Sequence, residues 1–388
     1  MRYATTLVLA LVAAGMAFGQ ADDLKYHDKV YKYADNTRTK PKSDPEQPCE
    51  VTDETYAKVK CNLGRGATTE LNKEEIFNII FDQGSDLKQA QQALSGDPAT
   101  AAGLYKALLA GIKGGSKRKV LEQHAMWGYA LSLHNQGDLP NAAAAYLDLI
   151  SSYPNTAYIY GAAEKGVACF LGSRDAAGVA GAKATITKLQ AVKPDDGGKF
   201  ESLRDYLSGL VEETAGNVDP AMNSYKKVEG CRAPDVAAKG KLGVGRCLVL
   251  KDDFAGAERK FREVIDGGQA TGMTLGGAWN GIGEVNFKQG EAAKNPKDKV
   301  TFFHTALMAY LRCAIQFNVG EGESWDEKGK AMARAGYCFE QVADAQDTPD
   351  NKQKYKDRAR SMYQDCIGAV GAGGGWGKWA SDHLNKMR

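Results

Sequence analysis

A single motif, repeated seven times along the 388-residue chain, constrains the fold more than any other feature of the sequence. An alanine is followed four residues later by an aromatic residue or isoleucine, and seven residues later by an aliphatic residue or cysteine. The seven motifs are Ala101-Tyr105-Leu108, Ala142-Tyr146-Leu149, Ala182-Ile186-Leu189, Ala221-Tyr225-Val228, Ala257-Phe261-Val264, Ala306-Tyr310-Cys313 and Ala359-Tyr363-Cys366. Offsets of four and seven return to the same side of a helix, so the three side chains share one face. The sequence therefore predicts a series of similar helical units.

Turn and helix-ending residues recur in phase with this motif. Four turn-forming pairs begin five residues before an alanine of the motif: Gly96-Asp97, Gly137-Asp138, Gly216-Asn217 and Asp252-Asp253. Three prolines, which cannot continue a helix, follow the last residue of a motif at a nearly constant distance: Pro154, Pro194 and Pro234. Small residues precede three of the turns by seven residues: Ala130, Gly209 and Gly245. Each unit is therefore predicted to be a helix, a tight turn and a second helix, with the aromatic residue packed where a small residue lets the two helices approach closely.

This arrangement resembles the tetratricopeptide repeat. The unit from His124 to Asn155 carries the resemblance best, through Ala130, Gly137-Asp138, Ala142, Tyr146, Leu149 and Pro154. The resemblance covers about residues 85–368 and implies an all-α fold, an α-solenoid of about seven helix-turn-helix repeats wound into a right-handed superhelix. The units are longer than the family's repeat of about 34 residues. Eleven residues are inserted at about 292–302, and a polar insertion lies around 344–356.

Residues 1–21 have the features of a secretory signal peptide. Arg2 precedes an apolar run from Leu7 to Phe18, and small residues allow cleavage after Gly19 or after Ala21. The run is shorter than the roughly 20 residues of a membrane-spanning helix. The sequence therefore predicts an exported protein, periplasmic or extracellular, in a bacterial-type cell envelope, with no transmembrane segment in the mature chain.

The remaining boundaries follow from composition. Residues 22–70 are polar and are predicted to be an N-terminal arm, in which Cys49 and Cys61 either form a local disulfide or remain free. Residues 71–370 are predicted to form the solenoid, beginning within the amphipathic stretch 71–94. Residues 371–388 are predicted to be a glycine-rich break and a C-terminal capping helix. The other six cysteines lie in apolar helical contexts and are interpreted as buried residues.

Charge and motifs argue against several classes of function. The chain has 50 Lys and Arg residues against 48 Asp and Glu residues, which lacks the cationic excess of a nucleic-acid-binding protein. We find no phosphate-binding loop, no zinc-protease motif and no C-x-x-C pair, so we predict no cofactor, no metal and no enzymatic activity. The basic run Lys117-Arg118-Lys119 is interpreted as a solvated connection.

The resemblance also implies a binding surface, because the first helix of each tetratricopeptide unit lines a concave groove that holds peptides or partner helices. The predicted groove residues are His124, Trp127, Leu131, His134, Tyr206, Leu210, Lys239, Leu242, Arg246, Asn280, Glu284, Phe287 and Lys288. The function predicted from this surface is that of an exported scaffold for protein or peptide partners. The alternatives are a glycan- or small-molecule-binding protein at the cell surface and a self-assembling envelope component. The oligomeric state stays open.

Overall fold

The computed structural model describes residues 24–34, 49–64, 66–82, 84–114, 118–171, 175–319, 326–371 and 375–387. The predicted signal peptide lies outside this part of the chain. The chain divides into two compact units, which are described separately. Unit 1 comprises residues 1–169 and 191–195, and unit 2 comprises residues 170–190 and 196–388.

Helices account for most of the described chain and follow one another in pairs. They are α1 (Ser85–Leu94), α2 (Pro98–Gly114), α3 (Lys119–Asn135), α4 (Leu139–Ser152), α5 (Ile159–Leu171), α6 (Ala176–Leu189), α7 (Lys199–Thr214), α8 (Val218–Glu229), α9 (Pro234–Leu250), α10 (Phe254–Asp266), α11 (Gly272–Ala292), α12 (Pro296–Gln316), α13 (Asp326–Asp344), α14 (Pro349–Val370) and α15 (Gly375–Lys386). We call the odd-numbered helices from α1 to α13 the A helices and their even-numbered partners the B helices.

The seven sequence motifs fall on the seven B helices, one on each. All seven alanines of the motif are fully buried, as are all six of the aromatic residues that follow them. In unit 2, α9 packs against α7 and α11, and α11 packs against α13, so each A helix lies beside the next A helix. This stacking of helix pairs confirms the predicted α-solenoid architecture of the helical region.

Glycines on the A helices provide the space for the buried aromatic residues. Tyr225 of α8 lies between Gly209 of its own A helix, α7, and Gly243 of the next A helix, α9. A Cβ atom on either glycine would stand 2.5 Å from a ring atom of Tyr225. Phe261 is enclosed in the same way by glycines of two A helices, Gly245 and Gly281. Tyr225 and Phe261 therefore pack against small residues of their own A helix, as the sequence predicts, and also against the A helix of the next unit.

The inserted residues lengthen helices and do not form long loops. Helices α11 and α12 are 21 residues each, and only residues 293–295 separate them. Helix α14 is 22 residues long and begins five residues after the end of α13. The additional helical turns therefore lengthen these two helix pairs at the end where the two helices of each pair are connected.

The N-terminal region of unit 1 is a β structure. Its elements are β1 (Lys29–Lys32), β2 (Glu50–Glu54), β3 (Lys58–Gly64), β4 (Ala67–Asn72), a 3₁₀ turn (Lys73–Glu75) and β5 (Ile76–Ile80). Strands β2, β3 and β4 form an antiparallel meander, β1 pairs with β5, and a bridge between Asp28 and Cys49 links the two sheets. We call the described residues from 24 to 82 the β module.

The first helix lies within residues 71–94, as expected, but the first half of this stretch belongs to the β module. Residues 71–80 contain the end of β4, the 3₁₀ turn and β5, and the first helix begins at Ser85. The four-residue spacing of Ile76 with Ile80 imitates a helical face. Because β-branched isoleucine favours a strand and β1 supplies a pairing partner, the strand forms instead.

A buried ion pair joins the β module to the helices of unit 1. Asp28 is fully buried, pairs with the guanidinium of Arg118, and accepts hydrogen bonds from the backbone N–H groups of Val51 and Asp82, each at 2.8 Å. Arg118 also donates to the carbonyl of Asp82 at 2.9 Å. The interpretation of Lys117-Arg118-Lys119 as a solvated connection is therefore wrong at Arg118, because the buried carboxylate of Asp28 requires a cationic partner.

All eight cysteines are free thiols in the structure. Cys49 and Cys61 are both buried in the β module and are hydrogen-bonded to each other. This hydrogen bond raises the pKa of the Cys49 thiol and lowers that of Cys61. The two thiols are therefore neighbours, and both alternatives, a local disulfide and two free thiols, stay open. Among the described residues, no helix has both the length and the apolar character needed to span a bilayer.

The packing of Tyr225 between two glycines gives a first testable prediction. Replacing Gly243 by alanine places a Cβ against a ring that Gly209 already confines, so we expect the free energy of unfolding to fall by about 1–3 kcal/mol. Gly368 of α14 is exposed, and a Cβ added there would have no atom within 4 Å, so Gly368→Ala should raise stability by about 0.5–1 kcal/mol. Urea unfolding followed by circular dichroism measures both, and equal effects at the two sites would contradict the packing role.

Candidate functional site

The thirteen predicted groove residues all lie on A helices. Four lie on α3 in unit 1, and nine lie on α7, α9 and α11 in unit 2. Their surroundings differ between the two units, and this difference decides which of them could contact a partner.

In unit 1, His124 contacts the chain's own β module. Its Nε2 atom lies 2.6 Å from Oε2 of Glu54, a residue of β2 that is only 2% exposed. Its Nδ1 atom lies 2.7 Å from the hydroxyl of Tyr158, and its ring packs edge-on against Phe81 at 5.0 Å. His124 is therefore an internal contact between the β module and the helices.

The other predicted residues of α3 are also engaged within unit 1. Trp127 stacks on Tyr158 with ring centroids 4.9 Å apart, and Leu131 is buried. His134 lies 3.5 Å from the sulfur of Cys169. Burial, together with the nearby charge of Lys165, lowers the pKa of His134. These side chains line the contact between α3 and α5, so they serve packing within the solenoid.

Glu54 is the charged centre of this contact. Burial alone would raise its pKa, but the charges and hydrogen bonds of His124 and Lys73 outweigh burial and lower the pKa to about 2. Glu54 therefore stays ionised at neutral pH and holds the imidazole of His124 on one side and the ammonium of Lys73 on the other.

In unit 2, several predicted groove residues are packing residues. Tyr206, Leu242 and Phe287 are buried. A Cβ on Gly277 of the next A helix would lie 3.0 Å from Leu242, which shows how closely α9 and α11 approach there. Leu210 and Lys239 are half-buried, and Lys239 lies over the ring of Tyr206.

Four predicted residues converge on one cavity of about 230 Å³ in unit 2. These are Arg246 of α9 and Asn280, Glu284 and Lys288 of α11. The cavity, which we call the unit 2 cavity, is also lined by residues that the sequence analysis did not assign: Glu213, Leu250, Glu327 and Lys330. It therefore draws side chains from four successive A helices, α7, α9, α11 and α13.

Ion pairs hold the walls of the unit 2 cavity in position. The guanidinium of Arg246 donates two hydrogen bonds to the carboxylate of Glu213, at 2.9 and 3.0 Å, and a third to the hydroxyl of Tyr225 at 3.2 Å. Glu284 pairs with Lys330 at 3.1 Å and accepts a hydrogen bond from a tyrosine hydroxyl at 3.0 Å. Paired charges on successive A helices thus hold these side chains of the cavity wall in place.

Glu284 illustrates the electrostatics of this wall. Burial would raise its pKa, but the positive charges of Lys330 and Arg334 prevail and lower it. The carboxylate is therefore ionised at neutral pH.

The helical spacing of the sequence could have assigned two of the additional cavity residues. Glu213 lies seven residues after Tyr206, and Leu250 lies four residues after Arg246, so both continue helical faces already assigned to the groove. Glu327 and Lys330 belong to α13, in the last repeat, where the insertion shifts the unit spacing and no groove residues were assigned. For Glu327 and Lys330, only the structure shows which face of α13 they lie on.

A larger cavity, of about 600 Å³, lies in unit 1 between β5 and α1. Its wall includes the half-exposed side chains of Phe77 and Ile80, and of the predicted groove residues it contains His124 alone. We regard the unit 2 cavity as the candidate site because four predicted residues meet there. In the described part of the chain, no group of three or more His, Cys, Asp or Glu side chains is arranged to hold a metal ion.

The low pKa of Glu54 gives a second prediction. A carboxyl group whose pKa is about 4.5 unfolded and about 2 folded stabilises the folded state above pH 4.5, and this contribution disappears as the pH falls towards 2. Removing the charge with Glu54→Gln should therefore cost about 3 kcal/mol at neutral pH and much less near pH 2.

Thermal or urea unfolding across this pH range measures the difference between the two proteins. Glu70→Gln is the control, because Glu70 is an exposed carboxylate of the same β module. A difference between wild type and Glu54→Gln that does not change with pH would contradict an ionised, paired Glu54.

Comparison with known proteins identifies the family of one repeat directly. Residues 124–156, which span α3 and α4, match the family model "Tetratricopeptide repeat". No curated protein matches the sequence. Among solved structures, a tetratricopeptide repeat protein from Parabacteroides merdae ATCC 43184 is 14% identical, with 78% of this chain and 97% of that chain covered and a TM-score of 0.46. BtubC (BKLC) from P. vanneervenii is 13% identical, with 72% and 92% covered and a TM-score of 0.32. Residues 124–156 of this chain are therefore similar to a tetratricopeptide repeat, and they form one of seven helix pairs that follow one another along the described chain.

Proposed function

We propose that this protein is an exported scaffold that binds protein or peptide segments on its A helices, with the unit 2 cavity as the principal site. Its tetratricopeptide repeats support a role in protein interaction. The observation that carries the proposal is the convergence of Arg246, Glu284 and Lys330 with the exposed side chain of Leu250 in one cavity. Charged groups beside an exposed apolar side chain suit the recognition of a polypeptide.

The site is preformed, which favours binding. Arg246 is held by Glu213, and Glu284 is held by Lys330. Because these side chains are already ordered in the free protein, a partner loses less free energy to their immobilisation. The proposed mechanism is therefore display of a rigid surface, without catalysis.

Unit 1 contributes less to this surface. The imidazole of His124 is hydrogen-bonded to Glu54 of the β module, and the ring of Tyr158 covers one face of Trp127. Partner binding is therefore proposed for unit 2, and the four predicted groove residues of α3 are assigned to internal packing.

The proposal of export rests on two features of the N-terminal region. The apolar run from Leu7 to Phe18 has the length and flanking residues of a secretory signal. The thiols of Cys49 and Cys61 are adjacent in the β module, where an oxidising compartment would join them.

Site-specific crosslinking tests the binding site. We expect a photoreactive benzoylphenylalanine at position 288, beside the cavity, to crosslink to a partner protein in cells of the source organism. Leu250→Ser in the same chain should reduce this crosslink at least about tenfold, because it removes the exposed apolar contact.

Ile315→Ser is the matched control, since Ile315 is an exposed aliphatic residue of the B helix α12. A crosslink that survives Leu250→Ser, or that Ile315→Ser removes equally, would count against the unit 2 cavity. Adducts consisting only of a second copy of this chain would favour self-assembly over the scaffold role. Loss of the crosslink on adding free glycans would favour the glycan-binding alternative.

Export is tested by the state of the N-terminal region of the protein isolated from cells. We expect the mature chain to begin at Gln20 or Asp22, in the envelope or extracellular fraction. Peptide mapping should find Cys49 bridged to Cys61, and this bridge should raise the free energy of unfolding by about 3 kcal/mol over the reduced protein. An intact Met1 in the cytoplasmic fraction with both thiols reduced would refute export.

A further inference from the structure

Asn280, which lines the unit 2 cavity, has an amide oxygen without a hydrogen-bond partner among the described residues. Asn280 is only 1% exposed, and its Nδ2 atom donates to the backbone carbonyl of Glu327 at 2.6 Å and to Oε2 of the same residue at 2.7 Å. Its Oδ1 atom is buried and has no partner in the described structure. The orientation of the amide is firm, because a flipped amide would set Oδ1 against two oxygen atoms. Buried acceptors of this kind require a donor.

The carboxylate of Glu327 provides a second acceptor at the same place. Its Oε1 atom lies 3.9 Å from Nη1 of Arg246, which exceeds hydrogen-bond distance. Arg246 is instead committed to Glu213, through two hydrogen bonds. Glu327 is therefore a weakly paired anion beside the unpartnered oxygen of Asn280.

The cavity has a negative charge balance. Its wall carries four carboxylates, those of Glu213, Asp252, Glu284 and Glu327, against three basic groups, those of Arg246, Lys288 and Lys330. Arg246 and Lys330 each pair with a carboxylate of the wall. An acidic guest would meet this excess of negative charge, whereas a basic guest would compensate it.

Size and apolar surface limit the guest to a single long side chain. The cavity of about 230 Å³ lies below the range of about 300–1,000 Å³ typical of sites for drug-sized molecules. Gly277 and Gly281 leave part of its wall without side chains, and Leu250 offers an apolar surface that is 55% exposed. A flexible aliphatic chain with a charged end can pack along Leu250 while its end reaches polar partners.

We propose that the unit 2 cavity binds a basic side chain, lysine or arginine, of the protein partner. This inference rests on the proposed function and specifies the chemistry of the partner at that site. The cationic group donates hydrogen bonds to Oδ1 of Asn280 and Oε1 of Glu327, and its methylene groups contact Leu250. Arginine binds more tightly than lysine, because its planar guanidinium presents several donors in a fixed geometry to two neighbouring acceptors.

Amino-acid amides serve as probes, so the test does not depend on knowing the partner. Nα-acetyl-arginine amide, Nα-acetyl-lysine amide and Nα-acetyl-citrulline amide are titrated into the mature chain, residues 22–388, and binding is followed by protein NMR chemical shifts. Citrulline has nearly the shape of arginine without its charge. We expect arginine to bind at least about tenfold more tightly than citrulline, with an affinity that falls as salt is added.

Two variants locate the probe. Glu327→Gln should weaken arginine binding about tenfold, and Asn280→Leu, which removes the unpartnered oxygen, should weaken it comparably without unfolding the helices. Glu258→Gln is the control, because Glu258 is a carboxylate of α10 that pairs with Arg262 outside the cavity. Circular dichroism establishes that all three variants are folded.

Two results would overturn the inference: equal binding of arginine and citrulline, and arginine binding that Glu327→Gln leaves unchanged. Failure of all probes to bind, with the crosslink at position 288 still dependent on Leu250, would reject the basic side chain but keep the proposed function. If no probe binds and the crosslink at position 288 does not depend on Leu250, the binding site itself is rejected.

Discussion

The stacking of helices α7 to α11 depends on one packing arrangement, a large B-helix side chain held between glycines of two successive A helices. Tyr225 shows it most fully, because Gly209 and Gly243 confine its ring from both sides. A glycine within a helix costs about 1 kcal/mol relative to alanine, so the close packing of the ring must offset that cost twice. The same contact joins the two helices of one pair and joins that pair to the next. Cohesion within a repeat and cohesion between repeats therefore arise from the same buried side chain.

This packing also shapes the electrostatics of the A helices. The hydroxyls of three buried tyrosines, Tyr225, Tyr310 and Tyr363, each donate a hydrogen bond to a glutamate of an A helix. At the equivalent place in the α9–α10 pair stands Phe261, which has no hydroxyl and lines the unit 2 cavity. The α9–α10 pair therefore lacks the tyrosine–glutamate hydrogen bond of these three pairs.

Sequence reasoning predicted the helical array because its signals are local. An alanine and an aromatic residue four positions apart identify a buried face within one turn, whatever lies elsewhere in the chain. The β module was missed because its contacts are distant: Asp28 meets Cys49, Asp82 and Arg118, which are separated from it by up to 90 residues. No periodicity within residues 22–80 contains that information. The insertions were located correctly, but their conformation, additional helical turns, was not assigned from the sequence.

The sequence predicted which face of helices α9 and α11 carries the candidate site, but not which residues of that face are accessible. Leu242 and Arg246 are one turn apart on α9, yet Leu242 is buried while Arg246 lines a cavity. The difference comes from the opposing helix, where Gly277 lets α11 approach Leu242 closely. Which residues of an A helix stay accessible thus depends on the size of the residues on the next A helix. Gly277 lets the two helices close over Leu242, whereas one turn further along α9 the side chain of Arg246, together with that of Glu327 on α13, lines the cavity, so the same A helices form both the packed and the accessible parts of this surface.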